Sequence, residues 1–89
     1  MNAILSVVGK DTVGILAAVA TKCASHNVNI NDVSQTIING YFTMYMIMNI
    51  DNLDIEFTDF VDDIQSLGKE KNLEIHCMHV DIFNLMHKI

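Results

Sequence analysis

The repeat of apolar and polar residues along the chain predicts four strands and two helices. Residues 3–8 are apolar on both faces, which is typical of a central strand, and residues 29–38 and 41–50 are two further strand patterns. Alternation in the third strand assigns five side chains to the core: Phe42, Met44, Met46, Met48 and Ile50. Asn39-Gly40 between the two patterns predicts a type I′ hairpin turn, because that turn needs positive φ at both positions.

Two other segments repeat their apolar residues with the period of an α-helix. The first runs from about Val13 to Ser25, with Thr12 as its predicted N-cap. Its apolar stripe is predicted to consist of Leu16, Val19, Ala20 and Cys23. The second helix is predicted from Phe57, Phe60, Ile64 and Leu67 and ends near Asn72. A last strand over 73–80 and a short terminal helix over 82–86 follow.

The order βαββαβ predicts an α+β fold, the ferredoxin-like sandwich. Right-handed crossovers give it a four-stranded antiparallel sheet with both helices on one face. The chain has 89 residues and contains no proline or low-complexity segment, so we expect one domain over residues 1–89. Many unrelated functions use this fold, and the function must therefore be argued from particular residues.

Composition narrows the class of protein. A net charge of −6 argues against nucleic acid and against an anionic membrane surface as partners. No apolar run approaches the roughly 20 residues of a membrane span, and no basic leader precedes the first strand. Cys23 and Cys77 form no CxxC pair, as expected of reduced thiols in a cytoplasmic protein. The hydrophobic fraction of 51% and an outer sheet face carrying Tyr45 and Ile47 predict a homodimer.

The turn between the first strand and the first helix carries the most chemical information. It reads Gly9-Lys10-Asp11-Thr12-Val13-Gly14-Ile15-Leu16. Backbone N–H groups near Val13, Gly14 and Ile15 would begin a helix and could receive a carboxylate. Asp11 would then face an ammonium group, so that a zwitterion satisfies both charges. A plain turn role for Asp11, and close packing of helix on sheet at Gly14, are the structural alternatives.

These motifs resemble those of ACT domains over nearly the whole chain. Residues 9–16 and 28–36 carry the resemblance, which is nearest to small stand-alone ACT proteins related to the glycine cleavage repressor. It implies a non-catalytic regulatory module that binds an amino acid or similar small molecule between two copies. It also implies ligand contacts from Asp11 and from Asn29 at the start of the second strand. The predicted ligand-binding residues are Asp11, Thr12, Val13, Gly14, Ile15 and Asn29.

The chain lacks the residues that other functions of this fold require. An acylphosphatase-like enzyme needs an arginine to hold phosphate, and the chain contains none. A metal carrier would have CxxC in the first turn, where no cysteine occurs. His76 differs in parity from both Cys77 and His79 along a strand, so we expect no shared metal. We therefore predict no catalytic residues, cofactor or metal. A protein-interaction domain without a ligand stays open as the alternative, and a small ferredoxin-like enzyme ranks behind it.

Two further expectations concern charged surface groups. His26 at the helix end is predicted to be an ordinary surface residue, and Asp59, Asp62 and Asp63 are predicted to form a solvated helix face.

With 89 residues there is no room for an output domain, so a regulatory role requires a separate effector protein.

Overall fold

The computed structural model describes residues 1–10 and 12–81. Its elements are β1 (Asn2–Lys10), α1 (Ile15–Ser25), β2 (Asn29–Ile38), β3 (Tyr41–Asn49), α2 (Phe57–Lys71) and β4 (Leu73–His79). The predicted βαββαβ order and ferredoxin-like fold are confirmed. The predicted terminal helix over 82–86 lies outside the described residues.

The four strands form one antiparallel sheet in the order β2-β3-β1-β4. β1 is hydrogen-bonded on both edges, as its apolar faces predict. Lys10 of β1 is paired with Tyr41, and Tyr41 with Ile38 of β2, at what we call the Tyr41 end of the sheet. Asn49 is paired with Asn2 and with Asn29 at the other end, which we call the Asn49 end.

Both helices cover the same face of the sheet and close a single core. The strands supply alternate side chains to it, which are Ala3, Leu5, Val7, Phe42, Met44, Met46, Met48, Leu73 and Ile75. The helices supply Ile15, Val19, Cys23, Phe60 and Ile64. The predicted inward set of the third strand is thus confirmed. On the outer face, Tyr45 is 48% exposed, whereas Ile47 is half-buried.

Asparagine and glycine allow the chain to reverse direction at the predicted places. Asn39 and Gly40 have φ angles of 51° and 79°, as a type I′ turn requires. Asn27 after α1 and Asn72 after α2 also have positive φ, at 61° and 58°. Asparagine tolerates this left-handed conformation at a helix end, so both helices stop where the sequence predicts.

The start of α1 differs from the prediction. Thr12 is not the N-cap: Gly14 immediately precedes the helix, with φ 88° and no side-chain cap, and Ile15 is the first helical residue. Because the helix begins later, its buried stripe is formed by Ile15, Val19 and Cys23. Leu16, which we predicted to be buried, is 39% exposed.

No helix within residues 1–10 and 12–81 has the length and apolar character needed to cross a bilayer.

Gly68 lets α2 lie close to β4, and this contact can be tested. A Cβ added at Gly68 would lie 2.8 Å from the Leu73 carbonyl oxygen and 3.0 Å from Ile75 Cγ1. Glycine to alanine normally stabilises a helix interior, but here we expect Gly68→Ala to lower the free energy of unfolding by about 1–3 kcal/mol. Urea denaturation measures it. Ser66→Ala, at an exposed position of α2, is the control and should change stability by less than about 0.5 kcal/mol. An increase for Gly68→Ala would contradict the close contact.

Candidate functional site

The turn between β1 and α1 leaves backbone donors without partners inside the helix. The first hydrogen bond of α1 runs from Ala18 N to Gly14 O, at 2.9 Å. The N–H groups of Ile15, Leu16 and Ala17 therefore have no intrahelical acceptor. They begin a helix of 11 residues whose dipole favours a negative group at this position. The donor groups lie two residues later than the sequence predicts, because α1 begins at Ile15.

Gly14 is the last residue of this turn before α1, and its backbone conformation explains why glycine occurs there. Its φ of 88° is strained for any residue with a side chain. Apart from its two chain neighbours, no described residue has an atom within 4 Å of a Cβ added at Gly14. Close packing of helix on sheet is therefore not the reason for glycine at this position. The space beside its Cα is open, and a small molecule could approach the backbone there.

The side chains of the turn differ in what they can offer. Thr12 is exposed, and Val13 is fully exposed at 104% of its reference area. The Ile15 side chain is 4% exposed and belongs to the core, so Ile15 can contribute only its backbone to a ligand. Asp11 lies outside the described residues, and its predicted role stays a prediction.

Asn29 does not lie beside this turn in the same chain. It is the first residue of β2 and is paired with Asn49, whereas the turn follows Lys10 at the Tyr41 end. α1 connects the two places, and its 11 residues alone span about 16 Å. Asn29 is exposed, and its Nδ2 donates a hydrogen bond to Asn31 Oδ1 at 3.0 Å. One chain therefore cannot bring together Asn29 and the turn around one small ligand.

β2 is an edge strand with an unusually open surface. Within residues 1–10 and 12–81 it pairs only with β3, and residues 31–38 are all exposed. Val33, Ile37 and Ile38 are 37%, 58% and 60% exposed. A long edge strand with apolar side chains offers its unpaired backbone groups to another strand. Leu16 of α1 adds apolar surface on the helix side of the molecule.

His26 is a residue that the sequence analysis misjudged. Its ring lies between two carboxylates, with Nδ1 3.0 Å from Asp54 Oδ1 and Nε2 2.7 Å from Asp63 Oδ2. The ring also makes an edge contact with Phe60, at a centroid distance of 5.8 Å. His26 therefore joins the end of α1 to α2 and to the loop before it. Asp63 likewise departs from the predicted solvated face, since it also pairs with Lys22 at 3.5 Å.

The charges of His26, Asp54 and Asp63, which together we call the His26 bridge, stabilise one another. Both ring nitrogens face a carboxylate, so both donate hydrogen bonds only in the imidazolium form. Hydrogen bonds to Asp63 and to Asp54 raise the pKa of His26 above its usual 6.5. The hydrogen bond from His26 in turn lowers the pKa of Asp63. We regard the bridge as structural, because neither ring nitrogen is available to a ligand.

Neither thiol has the properties of a nucleophile. Burial raises the pKa of Cys23 to about 11, and burial together with the nearby Cys23 raises the pKa of Cys77 to about 12. Thiols of this kind are protonated at neutral pH and react slowly. In the described part of the chain, no three His, Cys, Asp or Glu side chains are grouped so that they could hold a metal ion.

Comparison with known proteins identifies the class of this fold. The model of the ACT domain family matches residues 3–71, and the chain therefore belongs to that family. It is 47% identical to a UPF0237 protein of Listeria innocua, over 89 residues that cover both chains completely. The structure of an ACT domain protein from Streptococcus pneumoniae superposes with a TM-score of 0.82 at 38% identity, covering 93% of each chain. The predicted resemblance is confirmed.

A more distant structure shares the fold. A putative glycine cleavage system transcriptional repressor superposes with a TM-score of 0.71 at 21% identity. The match covers 86% of this chain and 44% of the other.

The His26 bridge predicts a specific pH dependence of stability. The pKa of His26 is higher in the folded than in the unfolded chain. His26 therefore contributes its full stabilisation at pH values below its unfolded pKa of about 6.5, and this contribution is lost as pH rises through its folded pKa. Asp63, whose pKa is lowered, contributes above its unfolded value and loses that contribution in acid. We expect His26→Gln to lower the free energy of unfolding by about 1 kcal/mol near pH 5.5, and by less near pH 9.

Urea denaturation at the two pH values measures this difference. His76→Gln is the control, because the His76 side chain is 62% exposed. The bridge would be refuted if the two variants had equal stability at both pH values.

Proposed function

We propose that this chain is a non-catalytic regulatory module of the cytoplasm. It binds an amino acid or a similar small carboxylate between two identical copies, and a separate effector protein responds to the ligand-bound dimer. The observation that carries the proposal is the β1–α1 turn. Three helix N–H groups without intrahelical acceptors lie there beside open space at Gly14. Membership of the ACT family, whose proteins are typically regulatory, supports it.

A second copy completes the proposed site. The exposed β2 edge pairs with β2 of the other copy, antiparallel about a two-fold axis, and doubles the sheet to eight strands. Antiparallel pairing brings the Asn29 end of one β2 toward the Ile38 end of the other. The Ile38 end belongs to the Tyr41 end of the sheet, where the β1–α1 turn lies. Asn29 of the second copy thereby approaches the turn that Asn29 of the same chain cannot reach.

The proposed site is best matched by a ligand that carries a negative and a positive group close together. The carboxylate of an amino acid accepts hydrogen bonds from the Ile15, Leu16 and Ala17 N–H groups. Asp11 receives the ammonium group, and the Asn29 amide of the second copy bonds a polar end of the ligand. A simple acid lacks the ammonium, and Asp11 would then repel it.

Regulation follows from the position of the ligand between copies. A ligand that contacts both chains binds the dimer better than the monomer, and it favours the arrangement of copies that fits it. An effector protein that recognises this arrangement then responds to the ligand. The runner-up function is an interaction domain with no ligand, which has the same dimer but no response to amino acids.

The dimer predicts one sensitive surface position. Ile37→Lys places a charge on the β2 edge, where the residue is exposed in the single chain and does not support its core. We expect sedimentation equilibrium at micromolar concentration to give a dimer for the wild-type chain and a 10 kDa species for Ile37→Lys. Val8→Lys, at a 41% exposed position of the outer sheet face, is the control and should remain a dimer. Dissociation by Val8→Lys alone would assign the interface to the outer face instead.

The ligand proposal is tested by calorimetry after a thermal-shift screen of the twenty amino acids. A ligand at 100 times its Kd adds about 2.7 kcal/mol to the stability of the protein that binds it. We expect Asp11→Ala and Asn29→Ala to weaken binding of the amino acid found by about tenfold or more, as for charge-assisted hydrogen bonds. Gly14→Val should abolish binding. Asp11→Ala should have less effect on the matching acid without the amine.

Asn2→Ala is the control, because Asn2 is also exposed at the Asn49 end but lies in β1, away from the β2 edge. Unchanged affinity in both folded variants, Asp11→Ala and Asn29→Ala, would refute the site. A screen without any stabilising amino acid would favour the interaction domain.

A further inference from the structure

The lysines of this acidic chain are concentrated at one place. Residues 1–10 and 12–81 contain four lysines, and three of them, Lys10, Lys69 and Lys71, line one cleft at the Tyr41 end of the sheet. We propose that this cleft binds a small polyanion, a molecule with at least two phosphate or carboxylate groups. The inference goes beyond the proposed amino acid site and does not depend on it.

Close approach of three elements forms the cleft. Gly9 of β1 has no room for a side chain, since its Cβ would lie 2.5 Å from Leu73 Cδ2 and 3.3 Å from the Asn72 carbonyl oxygen. Gly68 likewise brings α2 against Leu73 at the start of β4. The ends of β1 and α2 and the start of β4 are thereby held together. The cleft between them has a volume of about 810 Å³, within the range typical of small-molecule sites.

The charges of the lining residues are unbalanced. Among the lining residues that the structure describes, three are lysines and one, Glu74, carries a carboxylate. Within the described residues, none of the three lysines forms an ion pair, whereas Lys22, outside the cleft, pairs with Asp63 at 3.5 Å. A cleft lined mainly by one sign of charge concentrates ions of the opposite sign.

The helix dipole explains only part of this arrangement. Lys69 and Lys71 lie in the last turn of α2, where cations are favoured by the negative end of the helix. Lys10 belongs to β1 and has no such reason to lie there. Thr12 and Tyr41 add hydroxyl groups to the same cleft. Cations from two elements together with two hydroxyl groups suit the several oxygens of a phosphate or carboxylate group.

The cleft and the proposed amino acid site share Thr12 of the β1–α1 turn but are otherwise built from different elements. The cleft is lined by α2 and β4, whereas the amino acid site uses the first turn of α1 and the β2 edge of a second copy. A variant can therefore affect one site and leave the other intact.

Isothermal titration with pyrophosphate and with citrate tests the proposal and separates phosphate from carboxylate ligands. We expect saturable binding of at least one probe at low ionic strength, and weaker binding at about 0.15 M salt. The double variant Lys10→Gln/Lys71→Gln should bind that probe about tenfold more weakly. The control Lys22→Gln removes the same charge outside the cleft and should stay within about twofold of the wild-type affinity.

Every outcome of these titrations either supports or overturns the polyanion proposal. Absence of saturable binding for both probes overturns the proposal, and so does an equal loss in Lys22→Gln, which would indicate a general charge effect. Asn29→Ala distinguishes the two sites, because Asn29 lies at the Asn49 end of the sheet, away from the cleft, and this variant should leave the affinity for the polyanion unchanged. Loss of amino acid binding in that variant therefore says nothing against the lysine cleft.

Discussion

The pairing of β1 on both edges is the constraint on which the rest of the structure depends. β3 and β4 bond its two sides, and its inward side chains Ala3, Leu5 and Val7 are completely buried. A strand held in this way fixes where its last residue lies. Lys10 consequently lies beside Tyr41 at the Tyr41 end of the sheet, and the turn to α1 follows from there. Both proposed ligand sites use residues of that turn.

Charge is distributed unevenly along the molecule, and the acidic and basic regions have different roles. Acidic residues dominate the loop before α2 and its first half, whereas lysines occupy its end. Repulsion within the acidic part is relieved where the His26 imidazolium lies between Asp54 and Asp63. The lysines at the other end have no such carboxylate partners among the described residues. One part of the charge pattern therefore stabilises the fold, and the other is available to a ligand.

Local sequence signals were sufficient for most of the fold. Asn39-Gly40 predicted its turn because positive φ at two successive positions restricts the residue types severely. The opposite positions of Asn29 and Gly14 also follow from topology, since a helix as long as α1 must separate them. The His26 bridge could not be predicted, because its carboxylates lie 28 and 37 residues away in the chain. The prediction that Leu16 is buried was wrong for a different reason: the left-handed Gly14 shifted the helix start and with it the buried stripe.

The separation of the two predicted ligand contacts gives the proposed dimer its physical meaning. If both contacts were in one chain, a ligand would stabilise that chain and leave its assembly unchanged. Because Asn29 and the β1–α1 turn lie at opposite ends of one sheet, the proposed site needs a pair of copies to bring both to one ligand. The binding free energy of the ligand is then also free energy of association, about 2.7 kcal/mol per site at 100 times the Kd. A domain of 89 residues can in this way convert ligand concentration into a change of assembly that another protein can recognise.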